Sequence, residues 1–165
     1  MPGMLDLDFE TTLRAFLTAG VDFIIVGGIA AVLQGAPINT FDLDLVHARN
    51  AANTDAILPV LSRIDAYYRM QPERRLRPSA GHLTTAGHLN LITRHGPLDL
   101  LGTIGENLSY ENLLPHCELL DLGDGFTVRV LNLETLIAIK EQLNGEKDRA
   151  VLPILRRTLS LRPPA

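Results

Sequence analysis

The stretch that most constrains this chain lies between Phe23 and Val46. It opens with an apolar run, Phe23-Ile24-Ile25-Val26, stopped by the pair Gly27-Gly28. A short segment of small and apolar residues follows, broken at Gly35-Ala36-Pro37, and a second apolar run then carries two carboxylates one residue apart, Asp42 and Asp44. Residues 21–26 read as a buried strand, 29–34 as a short helix ended by Gly35, and 41–47 as a second strand. Successive side chains of a strand point to opposite faces, which predicts that Asp42 and Asp44 project together while Leu43 and Leu45 project away from them. Two carboxylates on one face repel each other unless a cation or open solvent relieves them. A hard, oxygen-liking cation such as Mg²⁺ suits the pair, and a helix that opens on glycines offers free backbone N–H groups of the kind that hold phosphate. Each half also has a plain explanation, a charged edge strand for the aspartates and a tight turn for the glycines. Their succession on two strands joined by one short helix is more specific than either alone.

The rest of the chain bounds what can be built around this stretch. At 165 residues, 46% apolar and 21% charged, it is expected to form one domain over residues 1–165 with a real hydrophobic core. A net charge of -4 argues against a broadly basic protein that coats nucleic acid, although it leaves room for a local basic patch. The single cysteine, Cys117, excludes an internal disulfide framework and reads as a buried, inert thiol in a reducing compartment. Residues 1–10 are acidic and lack a basic-then-apolar leader plan, and the longest apolar stretch, 23–33, falls short of the ~20 residues a spanning helix needs. A cytoplasmic protein without a membrane partner is the expectation.

Helical spacing of Phe9, Leu13, Phe16 and Leu17 predicts a first helix capped by Asp6 or Asp8. A further helix is expected after Asn50 or Asn53 and through about Tyr68, with Pro59 setting its start near Leu58. Residues 88–93 and 98–101 read as two strands joined by a turn at His95-Gly96-Pro97, and 113–122 and 126–131 as a hairpin through Gly123-Asp124-Gly125. Asn132 caps a helix closed by Asn144-Gly145, and a last helix follows, so the core of about 21–131 is completed by C-terminal helices over about 132–160. This is a mixed α and β pattern with a helical C-terminal end.

Three further charged residues sit where apolar ones are expected. Asp99 is flanked by leucines in a predicted strand, and an aspartate in that setting is seldom buried without a partner. If its strand lies beside the one bearing Asp42 and Asp44, three carboxylates converge, enough to hold two divalent cations for an in-line displacement at phosphorus. Lys140 and Asp148 each lie on the apolar stripe of their helix. Two charges on facing stripes point to a shared polar site, in which Lys140, assisted by Lys147, would neutralise phosphate charge. The loop over 69–87 carries Arg69, Arg74, Arg75 and Arg77. It is either solvated or a receiver of nucleotide phosphates or an RNA acceptor. The five histidines show no zinc-ligand spacing.

Together these residues resemble a polymerase-β-type nucleotidyltransferase, of the small prokaryotic group that includes the AbiEii-like toxin enzymes. The resemblance rests on Val26-Gly27-Gly28-Ile29-Ala30, Gly35, Thr40-Phe41-Asp42-Leu43-Asp44, the run from Thr93 to Leu101, Leu136-Ile137-Ala138-Ile139-Lys140, and Lys147-Asp148-Arg149. It implies a twisted mixed sheet with packed helices, Gly27, Gly28 and Thr40 at the triphosphate, and Mg²⁺ on Asp42, Asp44 and Asp99 in a two-ion site. Asp99 would activate the attacking hydroxyl or complete the metal site, with Lys140, Lys147 and Asp148 near the nucleotide. The reaction implied is transfer of a nucleoside monophosphate from an NTP, ATP among them, to a hydroxyl on RNA (tRNA) or protein, within a toxin–antitoxin or phage-defence pair that supplies a cognate partner. At Ile38 the chain departs from the pattern, since many relatives carry a basic residue there. That departure sets up the alternative, a nucleotide-binding or antitoxin module that keeps the fold without turnover.

Overall fold

The computed structural model describes residues 7–164. The Asp8 side chain accepts a hydrogen bond from the Thr11 backbone N–H and starts α1 (Phe9–Thr18), whose Leu13 and Phe16 are buried. Asp6, the alternative cap, lies outside the described residues. The buried strand β1 (Phe23–Val26) runs directly into α2 (Gly27–Leu33), which begins on the glycines themselves. The second strand, β2 (Leu43–His47), starts two residues later than the alternation predicts, leaving Asp42 exposed and Phe41 68% exposed.

Asn50 caps α3 (Ala51–Arg63), which carries Pro59 in its interior because Ile57, Val60 and Leu61 stay seated in the core. The helix therefore begins well before Leu58 and stops short of Tyr68. Asp65, at a φ of +56°, reverses the chain into the two-residue strand β3 (Tyr67–Tyr68). A 3₁₀ turn at Pro72–Arg74 and α4 (Ala80–Leu83) lead to the hairpin of β4 (His88–Thr93) and β5 (Gly96–Leu101). Its turn is Arg94-His95, one residue earlier than expected. The Thr93 hydroxyl donates to the Gly96 carbonyl at 2.8 Å and accepts from the His95 N–H at 3.0 Å, fixing the tighter loop. A small ribbon, β6 (Thr103–Ile104) and β7 (Leu108–Ser109), precedes α5 (Tyr110–Leu113). The hairpin β8 (Cys117–Gly123) and β9 (Phe126–Leu131), then α6 (Leu133–Leu143) and α7 (Glu146–Ser160), complete the chain.

Among the described residues seven strands form one mixed sheet in the order β3-β4-β5-β2-β1-β9-β8. The β1–β2, β3–β4, β4–β5 and β8–β9 pairs are antiparallel, whereas β2–β5 and β1–β9 are parallel. The central strands are buried throughout or nearly so. Ile24, Ile25, Leu43, Leu45, Leu98 and Leu100 form the middle of a core against which Phe16, Ile57, Leu136 and Leu155 pack. Burial of this apolar surface is the main favourable term holding helices to sheet. Among the described residues no helix is long and apolar enough to cross a membrane.

Candidate active site

Strand register brings the acidic residues together. Asp44 on β2 lies opposite Asp99 on the parallel neighbour β5, and Asp99 lies opposite Asn90 on β4. Residues directly opposite in a sheet share a face, so Asp44, Asp99 and Asn90 form one polar row. The row crosses β4, β5 and β2 between leucines on each strand. Burial pushes the Asp44 carboxyl up to about 7 from its ordinary 3.8, and the neighbouring Asp99 and Asp42 carboxylates push the same way, while Lys140 partly offsets them. The physical content is a buried carboxyl, Asp44, held beside a second carboxylate whose charge opposes its ionisation.

The glycine pair is shaped by these same residues. At Gly27 the backbone φ is +66°, in the left-handed region, and an added Cβ would overlap Asp44 Oδ2. A Cβ on Gly28 would stand 2.6 Å from Thr40 Oγ1. Glycine is thus required twice, once by conformation and once by the approach of Asp44 and Thr40 to the start of α2. Thr40 in turn donates to the Asp42 carbonyl at 3.4 Å, tying the exposed Asp42 to the loop that precedes β2.

Lys140 and Asp148 meet as the apolar-stripe argument expects. The Lys140 ammonium lies 3.3 Å from Asp148 Oδ1, and Asp148 Oδ2 accepts from the Gly145 N–H at 3.1 Å, so one carboxylate caps α7 and holds the lysine of α6. Lys140, Asp44 and Gly27 also line a cleft of about 270 Å³ between the sheet face and α6, with His88, Leu101, Thr103, Ile104, Leu136, Ile139 and Leu143. Lys147 is exposed on the first turn of α7 and does not line that cleft.

Asp44 and Asp99 carry the oxygen donors that a hard cation would take, with Asp42 adjacent. Among the described residues no three acidic, histidine or cysteine side chains are gathered closely enough to enclose a metal ion by themselves. Mg²⁺ is commonly held by one or two carboxylates with the remaining positions taken by water and substrate phosphates. The adjacent Asp44 and Asp99 carboxyls, beside backbone left bare at Gly27, fit that mode. Asp42 stands nearby on the loop, close enough for its charge to act on Asp44.

Sequence reasoning missed what holds Asp99. The Arg69 guanidinium donates to Asp99 Oδ1 at 2.9 Å and to the Leu91 carbonyl at 3.2 Å, and the Asp99 side chain is only 14% exposed. Other arginines of the same loop are committed as well: Arg75 and Arg77 both bind Asp65, and Arg74 donates to Gln71. This loop is braced by its own ion pairs. Asn90 was within reach of the sequence, because a two-residue turn at Arg94-His95 places it opposite Asp99. No local signal marks Arg69 apart from its loop neighbours. Burial raises the Cys117 thiol to about 11, in keeping with an inert cysteine.

No protein-family model matches the chain and no curated protein matches it. Solved structures do. A Thermotoga maritima protein assigned as a nucleotidyltransferase is 17% identical, with 93% of this chain and 91% of that one covered at a TM-score of 0.57. The lincosamide antibiotic adenylyltransferase LnuA, bound to lincomycin, is 13% identical over 91% of this chain and 95% of that one, at a TM-score of 0.60. An antigenic nucleotidyltransferase-like protein from Paracoccidioides brasiliensis is 18% identical over 97% and 78%, at a TM-score of 0.53. The mixed seven-strand sheet with helices packed against it is the nucleotidyltransferase fold.

Proposed function

We propose that this chain is a nucleotidyltransferase that moves a nucleoside monophosphate from an NTP to an acceptor hydroxyl and releases pyrophosphate. The observation that carries the reading is the register of Asp44 against Asp99 on parallel central strands, at the point where β1 turns into α2 on Gly27-Gly28. The fold shared with an adenylyltransferase supports ATP as donor. Mg²⁺ held by Asp44 and Asp99, with Asp42 completing a two-ion site, would neutralise phosphate charge and stabilise the entering and leaving oxygens. Asp99 accepts the proton of the acceptor hydroxyl. The oxygen so freed attacks the α-phosphorus in line as the bond to the bridging oxygen of pyrophosphate breaks, so a P–O bond forms as one is lost. Gly27, Gly28 and Thr40 border the phosphates, and Lys140, oriented by Asp148, adds positive charge beside Asp44, with Lys147 behind it on α7.

The subgroup that the sequence resembles, the AbiEii-like enzymes, adds a cognate partner in a toxin–antitoxin pair to this proposal. A second reading, a nucleotide-binding module without turnover, draws on Ile38 and on the Arg69–Asp99 pair, which occupies an oxygen of the proposed base. One experiment separates the two. The chain is incubated with radiolabelled NTPs, Mg²⁺, total RNA, lysate protein and small alcohols. Labelled product that disappears in a folded Asp42→Ala, Asp44→Ala double variant supports the enzyme. NTP binding by calorimetry with no labelled product from any acceptor supports the module, and product retained in the double variant refutes the assigned site.

A further inference from the structure

We propose that the acceptor is a small aliphatic molecule bearing a hydroxyl, seated in the cleft between Asp44 and α6, and not a nucleic acid. The proposal rests on the transferase reading above and names the substrate class of that site. The cleft begins at Asp44 and continues over Leu101, Ile104, Leu136, Ile139 and Leu143, with no phenylalanine, tyrosine or tryptophan among its lining residues and the His88 ring held to the Thr103 carbonyl. Its volume of about 270 Å³ equals about nine waters' share of liquid, near the lower end of small-molecule pockets.

Three of the polar groups that border it already have a partner within the fold. The Thr103 hydroxyl donates to the Ala86 carbonyl at 3.0 Å, His88 Nε2 bonds the Thr103 carbonyl at 3.0 Å, and Lys140 holds Asp148 at 3.3 Å. A nucleobase pushed into this space would leave its polar edge unpaired against aliphatic walls, which is unfavourable. An aliphatic body leaves nothing unpaired, and a hydroxyl at its end meets the carboxylates.

The cations around the site argue in the same direction. An RNA acceptor is held chiefly through phosphate contacts to lysine and arginine, and a single strand also stacks on aromatic platforms. Here Arg69 is paired with Asp99, and Arg75 and Arg77 with Asp65, while Lys140 is turned to Asp148 and the donor's phosphates. The acidic row and the aliphatic cleft present no such track.

The test uses 2-cyclohexylethanol as probe on the full chain and on Leu143→Trp, whose residue is 56% exposed at the rim and so tolerates replacement. Ile104→Trp, at a half-buried position, is the second variant if the first fails to fold. Methyl NMR is expected to show the probe shifting Leu136, Ile139 and Leu143 without nucleotide. In the variant its affinity falls about tenfold, while calorimetric Mg-ATP affinity does not follow. Radiolabelled ATP is expected to label the alcohol and not total tRNA. Labelled tRNA with unlabelled alcohol overturns the proposal, as does a parallel loss of ATP and probe binding, which would give the cleft to the nucleoside. If the wild type binds no ATP, the transferase reading fails by itself, and the methyl shifts still decide whether the cleft takes an aliphatic alcohol.

Discussion

Replacing Asp44 by Asn should change how stability depends on pH, with a direction and size set by the site. The Asp44 carboxyl is raised to about 7 in the folded chain against an ordinary 3.8, because burial and the Asp99 and Asp42 charges oppose its ionisation. Below the unfolded value both states hold the proton and the site has no electrostatic cost. Between the two values the unfolded chain releases a proton that the folded chain keeps, so folding stability falls as pH rises, and above about 7 the whole loss is present. A gap of about three units corresponds to roughly 4 kcal/mol at ~1.4 kcal/mol per unit. For a chain of this size that is a fall in Tm of roughly 12 °C, at ~3 °C per kcal/mol. The amide introduced by Asp44→Asn cannot ionise, so thermal unfolding followed by circular dichroism in chelator should show the wild type losing this margin as the pH rises from about 3.8 to about 7, and the variant keeping it. At the alkaline end the variant should be the more stable protein. Added Mg²⁺ should then raise the wild-type Tm most at alkaline pH, where the pair is ionised, and leave Asp44→Asn nearly unmoved. Parallel pH profiles for the two proteins would refute the reasoning, because they would mean that Asp44 ionises as freely folded as unfolded.

Other perturbations probe the neighbours of that carboxylate. Gly27→Ala should lose roughly 1–2 kcal/mol for its left-handed φ and, by overlapping Asp44 Oδ2, also abolish the Mg²⁺ response. Gly20→Ala, at a φ of +73° with nothing within 4 Å of the added Cβ, should show the conformational loss alone. Arg69→Met leaves the mostly buried Asp99 without its cation, and should lower the metal-free Tm by the equivalent of about 1–3 kcal/mol while enlarging the Mg²⁺-dependent rise. Asn144, the left-handed residue closing α6 at a φ of +48°, should accept Gly with little change in Tm. Asn144→Ala should lose about 1 kcal/mol.

How much of this was legible beforehand depends on whether the determining contact is local. Strand β4 and helix α6 were readable to the residue or nearly so, because alternation, the Asn132 cap and the Asn144-Gly145 stop are all encoded within a few positions. The Lys140–Asp148 pair was readable because a charge on an apolar stripe is conspicuous, and two of them on successive helices call for each other. Helix α3 was read with its Asn50 cap, but the start near Leu58 and the end at Tyr68 were wrong: the proline rule gave way to the packing of Ile57, Val60 and Leu61. Strand β3 and the ribbon β6–β7 are two-residue pairings that only the assembled sheet or turn makes visible. The Arg69–Asp99 pair joins residues thirty positions apart, and no spacing rule reaches across that distance.

The Asp42/Asp44 pair shows where the expected strand alternation stops short. Both aspartates were expected on one strand face, but the pleat holds only where a strand is paired. On one side β1 can pair no further than Val26 with Asp44, because at Gly27 the chain turns away into α2. On the other, pairing with β5 begins at Leu43 with Leu98, and the residue before Leu98 is Pro97, which has no N–H to give. Asp42 therefore falls off the end of the sheet on both sides, and its position is set by the loop that Thr40 braces. The two members of the motif are consequently unlike: Asp44 is fixed in the sheet beside Asp99 and strained electrostatically, whereas Asp42 is exposed and held only by its loop. Under the proposed metal-dependent reaction, a cation would meet the Asp44/Asp99 pair first, and the loop carboxylate would be the ligand left to close on it.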